Sequence, residues 1–326
     1  MHRRQVIVSG IAAALLARVT HAAPRANARV GYLELVSAAD GELLYRDFVE
    51  GLKRHGYVEG RNLRLLRRSG DGETEMRLST LAAELAAERV DVILASTTVA
   101  ARSAAKGAPR VPAVFLASGD PRLEGLVASL SRPEGNLTGI VTQGEDLTAK
   151  RLQLLKQAFP AIRTVAIVGS TLSMSRSAFA DAASKLQLAT LQFPVHRRDE
   201  HGEVAAAVQR SAASAILVVD DADAMPAVQS FTRLMMATRL PVMFNSDVFV
   251  EHFGLMAYGA SLRPQYRRAA GIVARLLEGA KPSAIPVEMP TRYELVFNRR
   301  AMEEYALPLP RDFLAQAVEV GSRTLD

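Results

Sequence analysis

The chain has 326 residues, 49% hydrophobic and 23% charged, the balance of a soluble globular protein long enough for two domain-sized units rather than a fibrous or low-complexity one. It contains no cysteine, which excludes disulfides, thiolate metal sites, cysteine nucleophiles and a lipid-modified N-terminal cysteine. The formal net charge of +6 comes from scattered lysines and arginines with no basic block interleaved with aromatics, so the charge points to a solvated surface and not to a nucleic-acid partner.

Residues 1–22 read as a signal peptide. Arg3-Arg4 give a basic start, Val6 to Ala17 an apolar run, and Thr20-His21-Ala22 small residues at the −3 and −1 positions for cleavage after Ala22. The run is short of the ~20 residues that span a bilayer. Arg3-Arg4 followed by Gln5-Val6-Ile7 resembles a twin-arginine signal, which leaves two export routes open. Removing the segment takes Arg3, Arg4 and Arg18 from the +6 and leaves +3.

The mature chain alternates short β-branched runs with amphipathic helical stretches. Arg29–Leu33 predicts a strand, and Asp40 is placed to cap a helix with Leu44, Phe48 and Leu52 on one face and Gly56 at its end. Asn62–Leu66 is a second strand, and Leu78, Leu81 and Leu85 give the next helix its apolar face. Val90–Leu94 and Val111–Leu116 are strands three and four. This alternation indicates a parallel sheet with right-handed crossovers.

After the turn-rich stretch Arg132–Thr138 the pattern restarts. Leu152–Phe159, Ser173–Leu188, Ala205–Ala212 and Ala222–Thr238 predict helices; Val165–Val168, Leu191–Val195, Ala215–Val219, Val242–Phe244 and Leu255–Tyr258 predict strands. Pro264 opens a helix with Tyr266, Ala270, Val273 and Leu277 on its apolar face, closed by Gly279, and Tyr293–Phe297 is a last strand. One helix and one strand cannot bury a core alone, so both must return to the earlier sheets.

Several stretches together resemble the ABC transporter substrate-binding protein family whose characterised members include tryptophan and tyrosine binders. They are Gly56–Asn62 (GYVEGRN), Leu81–Leu85 (LAAEL), Val90–Ser96 (VDVILAS), Gly125–Gly139 (GLVASLSRPEGNLTG), Leu255–Gly259 (LMAYG), Tyr266–Ala270 (YRRAA) and Gly279–Pro282 (GAKP). The resemblance covers nearly the whole chain in one order. It implies an α/β, type I periplasmic-binding-protein fold: two Rossmann-like lobes with parallel central sheets, joined by three crossover segments. The crossovers are expected near Gly139–Thr142, Tyr258–Ala260 and Ser283–Val287. Lobe I is then 23–140 with 259–283, and lobe II is 141–258 with 284–326. Relatives often carry Ser-Asp-Pro after the fourth strand; here Ser118-Gly119-Asp120-Pro121 holds an extra glycine.

Ligands of open parallel sheets bind beyond the carboxyl ends of the strands. That rule selects Ser96-Thr97-Thr98, where three hydroxyls and a helix start suit a carboxylate, with plain helix capping as the alternative. It selects Asp220-Asp221, where a carboxylate can accept from an ammonium or hydroxyl or cap a helix, and Asn245-Ser246-Asp247. Ser118 and Asp120, Ser170 and Thr171, and Glu34 and Ser37 also follow strands. Tyr258 can stack on a ligand or pack a crossover.

The glycines of Ser69–Thr74 lack the lysine of a phosphate loop and the spacing of a dinucleotide fingerprint. No histidine pair has metal-ligand spacing, no Gly-x-Ser-x-Gly elbow is present, and neither catalytic residues, a metal nor a cofactor is expected. The expectation is a monomeric periplasmic receptor that binds a small polar solute, an amino acid or similar carboxylate, between its lobes and delivers it to an ABC permease. A sensor for a periplasmic signalling partner and an α/β enzyme are the alternatives. A repressor of this fold would carry a helix-turn-helix before lobe I, where this chain has its signal.

Overall fold

The β-branched runs of the first third form five parallel strands: β1 (Ala28–Glu34), β2 (Leu63–Ser69), β3 (Val92–Ala95), β4 (Ala113–Ala117) and β5 (Leu137–Val141), in the order β2-β1-β3-β4-β5. The computed structural model describes residues 26–71, 75–117, 119–142, 147–169, 179–195, 200–219 and 224–321. Residues 1–22, where a signal is expected, lie outside them. β3, β4 and β5 are buried along their whole length, as parallel strands covered on both faces must be. On one face lies α1 (Glu42–Arg54), whose Phe48 and Leu52 meet Val30, Tyr32 and Leu94. On the other lie α2 (Glu75–Ala87) and α3 (Thr98–Gly107), where Leu78, Leu81 and Leu85 meet Leu33 and Ile93.

The second sheet holds β6 (Thr164–Gly169), β7 (Ala189–Pro194), β8 (Ala215–Val218), β9 (Val242–Phe244), β10 (Met256–Gly259), β11 (Glu294–Phe297) and β12 (Val318–Glu319), ordered β12-β11-β10-β9-β8-β6-β7. Among the described residues of this sheet, β10 and β11 are the one antiparallel pair. Its helices are α4 (Thr148–Ala158), α5 (Phe179–Lys185), α6 (His201–Gln209), α7 (Ala224–Thr238) and the short α8 (Asp247–Glu251). Strand for strand, β7-β6-β8-β9-β10 repeats β2-β1-β3-β4-β5.

Each fifth strand hands the chain to the other lobe. After β5 the chain enters α4, whose Leu152 and Leu155 join the core of the second sheet. After β10 it enters α9 (Leu262–Leu277), whose Tyr266, Ala270, Val273 and Leu277 pack with α1 on the first. α9 and α1 touch closely: a β-carbon built on Gly51 would stand 2.7 Å from that of Ala270 and 2.7 Å from the Arg267 carbonyl oxygen. Beside this contact the buried Asp47 accepts from Arg263 Nε at 2.7 Å and from Arg267. A 3₁₀ turn (Pro282–Ala284) follows α9; α10 (Arg299–Glu304) and α11 (Arg311–Leu314) complete the second lobe.

The structure departs from expectation in three places. The turn-rich boundary runs straight into a strand, β5, because Thr138 and Gly139 pair with Val114 and Phe115. Asp40 does not cap α1; its carboxylate accepts from Ser37 Oγ at 2.7 Å and Gly41 holds the cap position. The third crossing comes later than Ser283–Val287. Thr138 Oγ1 donates to the Ile285 carbonyl at 2.7 Å, Glu288 N to the Gly139 carbonyl at 2.9 Å and Val141 N to the Glu288 carbonyl at 2.8 Å, which holds 285–288 against the first sheet. The chain therefore leaves that sheet between 289 and 293.

Gly51→Val should lower the unfolding free energy by about 1–3 kcal/mol, the usual effect of forcing extra volume into a filled contact. Thermal unfolding of the intact protein checks it; an unchanged midpoint would show that α1 and α9 do not touch as described.

Candidate functional site

In the first sheet the chain runs from β1 out to β2 on one side and from β3 to β4 on the other, so the loops after β1 and β3 part at a topological switch point. The loop after β1, residues 35–41, is braced from below. Glu34, fully buried, accepts from Arg67 Nε at 2.6 Å, from Arg67 NH2 at 3.1 Å and from Ser69 Oγ at 2.5 Å. Arg67 also donates to Glu42 at 2.7 Å and to the Ala38 carbonyl at 2.7 Å, and its guanidinium lies 4.2 Å from the Tyr45 ring centre. Burial pushes the Glu34 carboxyl above its ordinary range against the pull of Arg67 and Ser69. Gly41 is required here, because a β-carbon would sit 2.1 Å from Glu34 Oε2. Glu34 is thus committed to this network, and Ser37 to Asp40.

The loop after β3 is fixed at the backbone. Ser96 N donates to the Leu33 carbonyl at 2.9 Å, and the Ser96 carbonyl accepts from Tyr266 Oη at 3.1 Å. Tyr266 belongs to α9, so the returning helix holds this rim. Thr97 is the N-cap of α3, its Oγ1 accepting from Ala100 N at 3.1 Å, which is the capping role. Thr98 differs. Its Oγ1 is buried and has no hydrogen-bond partner at the first turn of α3. Asp120 is held by its own loop: its carboxylate accepts from Arg122 N at 2.9 Å and pairs with the Arg122 side chain at 2.6 Å, which keeps the carboxyl below its usual range.

In the second sheet Asn245 follows β9 and is 1% exposed. Its carbonyl accepts from Arg151 NH2 at 3.4 Å, and the Tyr258 carbonyl accepts from Arg151 Nε at 2.7 Å. Arg151 is itself 2% exposed, so a cation on α4 ties the ends of β9 and β10 together. Tyr258, half-buried, stands opposite Leu295 in the β10–β11 ladder with its ring 6.4 Å from that of Tyr293. Asp247 spans the second crossing: it accepts from Ser261 Oγ and from Leu262 N, the latter at 3.3 Å, at the start of α9. Ser118, Ser170, Thr171, Asp220 and Asp221 lie outside the described residues.

The sequence reading missed Arg151. Lys150-Arg151 reads as a pair of surface cations, and only its helical spacing from Leu155 and Ala158, at four and seven residues, places it on the buried face of α4. It also missed Tyr266 as a support of Ser96, since that contact joins residues 170 apart in sequence. Among the described residues no cluster of acidic and histidine side chains could hold a metal, and no helix is long and apolar enough to cross a membrane.

Burial raises the phenols of Tyr32 and Tyr266 well above the ordinary value of 10.0, and that of Tyr305 to about 12. The folded state therefore keeps protons that the unfolded chain releases, and stability falls as pH rises through and beyond about 10. Urea unfolding at stepped alkaline pH should show this decline, with phenolate absorbance from these tyrosines appearing only as the protein unfolds.

A family model described as ABC transporter substrate binding protein matches residues 29–321. A tyrosine-binding protein of Clostridioides difficile is 21% identical over 280 residues, 84% of this chain and 79% of that one. The ABC domain of Streptococcus pneumonia in complex with L-Trp superposes with a TM-score of 0.81 at 23% identity, covering 90% of this chain and 100% of that one. A conserved domain protein of Vibrio cholerae superposes equally well, at a TM-score of 0.81 and 21% identity, covering 90% and 99%.

Proposed function

We propose that this chain, which belongs to the ABC transporter substrate-binding protein family, is the extracytoplasmic receptor of an importer and holds an amino acid or similar small carboxylate between its lobes. The family binds substrates and passes them to a permease; it is not a family of enzymes. One relative is a tyrosine-binding protein and another was crystallised with L-Trp, so these two amino acids are the first solutes to test. On this reading the described lobes are 26–141 with 262–288, and 147–259 with 289–321. The protein acts as a monomer in the periplasm, its signal removed after Ala22, with no nucleic-acid partner.

Thr98 carries this reading. A buried hydroxyl without a partner costs about 1–3 kcal/mol, and this one sits at a helix start beside a switch point. The free N–H groups and positive end of α3 suit a carboxylate there. The ligand carboxylate is received by Ser96, Thr97 and Thr98, with Asp120 after β4. Asn245 and Tyr258 meet the ligand from the second lobe; the sequence candidates Ser118, Ser170, Thr171 and Asp220, which lie outside the described residues, complete the proposed set, with Asp220 taking the ligand's ammonium.

Thr98→Val keeps the shape and removes the hydroxyl. The empty protein should melt at the same temperature or higher, while calorimetry with L-tyrosine or L-tryptophan should show affinity reduced tenfold or more, a decade being ~1.4 kcal/mol. Thr97→Ala should instead cost the empty protein ~1 kcal/mol through the lost cap. A Thr98→Val protein that melts lower yet binds normally would make that hydroxyl structural and move the carboxylate elsewhere. Export has its own check: N-terminal sequencing of periplasmic protein should begin at Ala23, and a chain that retains Met1 in the cytoplasm would sink the receptor role.

A further inference from the structure

The start of α9 is tied to both sheets. From the second sheet, α8 presents Asp247 and Glu251, four residues apart and so on one helical face. Asp247 accepts from Ser261 Oγ and from Leu262 N, the latter at 3.3 Å, and Glu251 pairs with Arg263 NH1 at 3.5 Å. From the first sheet, Asp47 of α1 accepts from Arg263 Nε at 2.7 Å and from Arg267. Gln265 anchors the same turn to the first crossing. Its amide nitrogen donates to the Thr142 carbonyl at 3.2 Å and to the Ser261 carbonyl at 3.1 Å.

Arg263 is the side chain of this cluster that reaches both ways. Its guanidinium forks, with Nε toward the first lobe and NH1 toward the second. The acids it meets are nearly out of water: the side chains of Asp47 and Glu251 are 7% and 12% exposed. The parts of the cluster do not move alike. α1 and α9 pack tightly through Gly51 and Ala270, so the pairs of Asp47 ride with the first lobe. Glu251 rides with the second. A rotation about the crossings therefore leaves the pairs of Asp47 intact and changes that of Arg263 with Glu251. α1 follows the loop 35–41 on one rim, and α8 follows Asn245 and Ser246 on the other. A bridge between these two helices draws the rims together.

We propose that Arg263 is a positioning residue for ligand capture: it touches no ligand, and its forked bridge from Asp47 to Glu251 favours the approach of the two lobes. The inference rests on the receptor reading of the cleft. Without the bridge, the empty protein spends more time with its lobes apart. Affinity for a ligand that needs both rims then falls by the factor by which the binding-competent arrangement is depleted. For an ion pair of this exposure that factor is about threefold. Lysine keeps the charge but has a single ammonium in place of the fork, so it cannot span both acids as arginine does.

The chain has no cysteine, so a pair of introduced ones takes spin labels cleanly. Met76→Cys and Glu203→Cys place them at exposed positions in the first turns of α2 and α6. These helices follow β2 and β7, the strands remote from the crossings, so parting of the lobes lengthens the distance between the labels. Pulsed electron–electron double resonance on the full mature protein, with no amino acid added, should show longer distances in Glu251→Gln, which keeps the side chain's shape. Arg263→Lys should lengthen them alike, and the double variant should go no further than either. Arg267→Met, whose pair with Asp47 lies within one lobe, should leave them unchanged. In unlabelled protein, calorimetry with L-tryptophan or L-tyrosine should show Glu251→Gln and Arg263→Lys weakened about threefold and Arg267→Met unchanged. Unchanged distances in Glu251→Gln, an Arg263→Lys protein that matches the wild type, or an equal shift in Arg267→Met would each overturn the proposal. A wild-type protein that binds no amino acid yet shows these shifts would count against the receptor reading and for the bridge.

Discussion

A parallel sheet buries both of its faces, and each face needs a cover of helices. The first five strands supply only three helices of their own among the described residues: α2 and α3 on one face, α1 alone on the other. β4 and β5 are joined without one. Half of one face would lie open unless a helix came from elsewhere, and α9 fills it. Ile272, Val273, Leu276 and Leu277 go under with it, each contributing roughly 1.5–3 kcal/mol on burial. The three-crossing topology follows from this demand, and so does the rim, because the same helix brings Tyr266 up beneath Ser96.

The rim of the first lobe is organised by charges and phenols set underneath it. Glu34 and Arg67 are paired beneath the loop after β1. Breaking such a pair strands a buried charge and typically costs 3–5 kcal/mol, whereas keeping it adds little net stability over an apolar substitute. Its effect is on shape: Arg67 reaches the Ala38 carbonyl and so fixes the loop that begins at Leu35. Arg151 does comparable work in the second lobe through the carbonyls of Asn245 and Tyr258.

Much of this was legible in the residues, for reasons that differ by element. Apolar β-branched runs such as Val242–Phe244 admit one reading, and α9 announced its buried face through Tyr266, Ala270, Val273 and Leu277. β5 was hidden because its partner is not local: Leu137–Val141 is flanked by turn residues, and its strand character comes from β4 on one side and Glu288 on the other. α8 has five residues, too few for a periodic signal. In the site, hydroxyls at strand ends could be found by rule, but a hydroxyl that caps, as in Thr97, and one left unpaired, as in Thr98, look alike in a sequence. Arg151 and Gln265 gave no signal, since only a neighbour's carbonyl tells a buried cation or amide from a solvated one.

The late position of the third crossing has a consequence for synthesis. The edge of the first sheet is finished by residues 285–288, which pair with β5. A ribosome has then made most of the chain before its opening segment can complete its fold. A polypeptide released early would carry the second lobe's strands β6 to β10 nearly whole, and beside them an N-terminal sheet with a bare flank. Such fragments are poor receptors and good substrates for proteases, and genetic exchange between relatives cannot swap one lobe by a single cut.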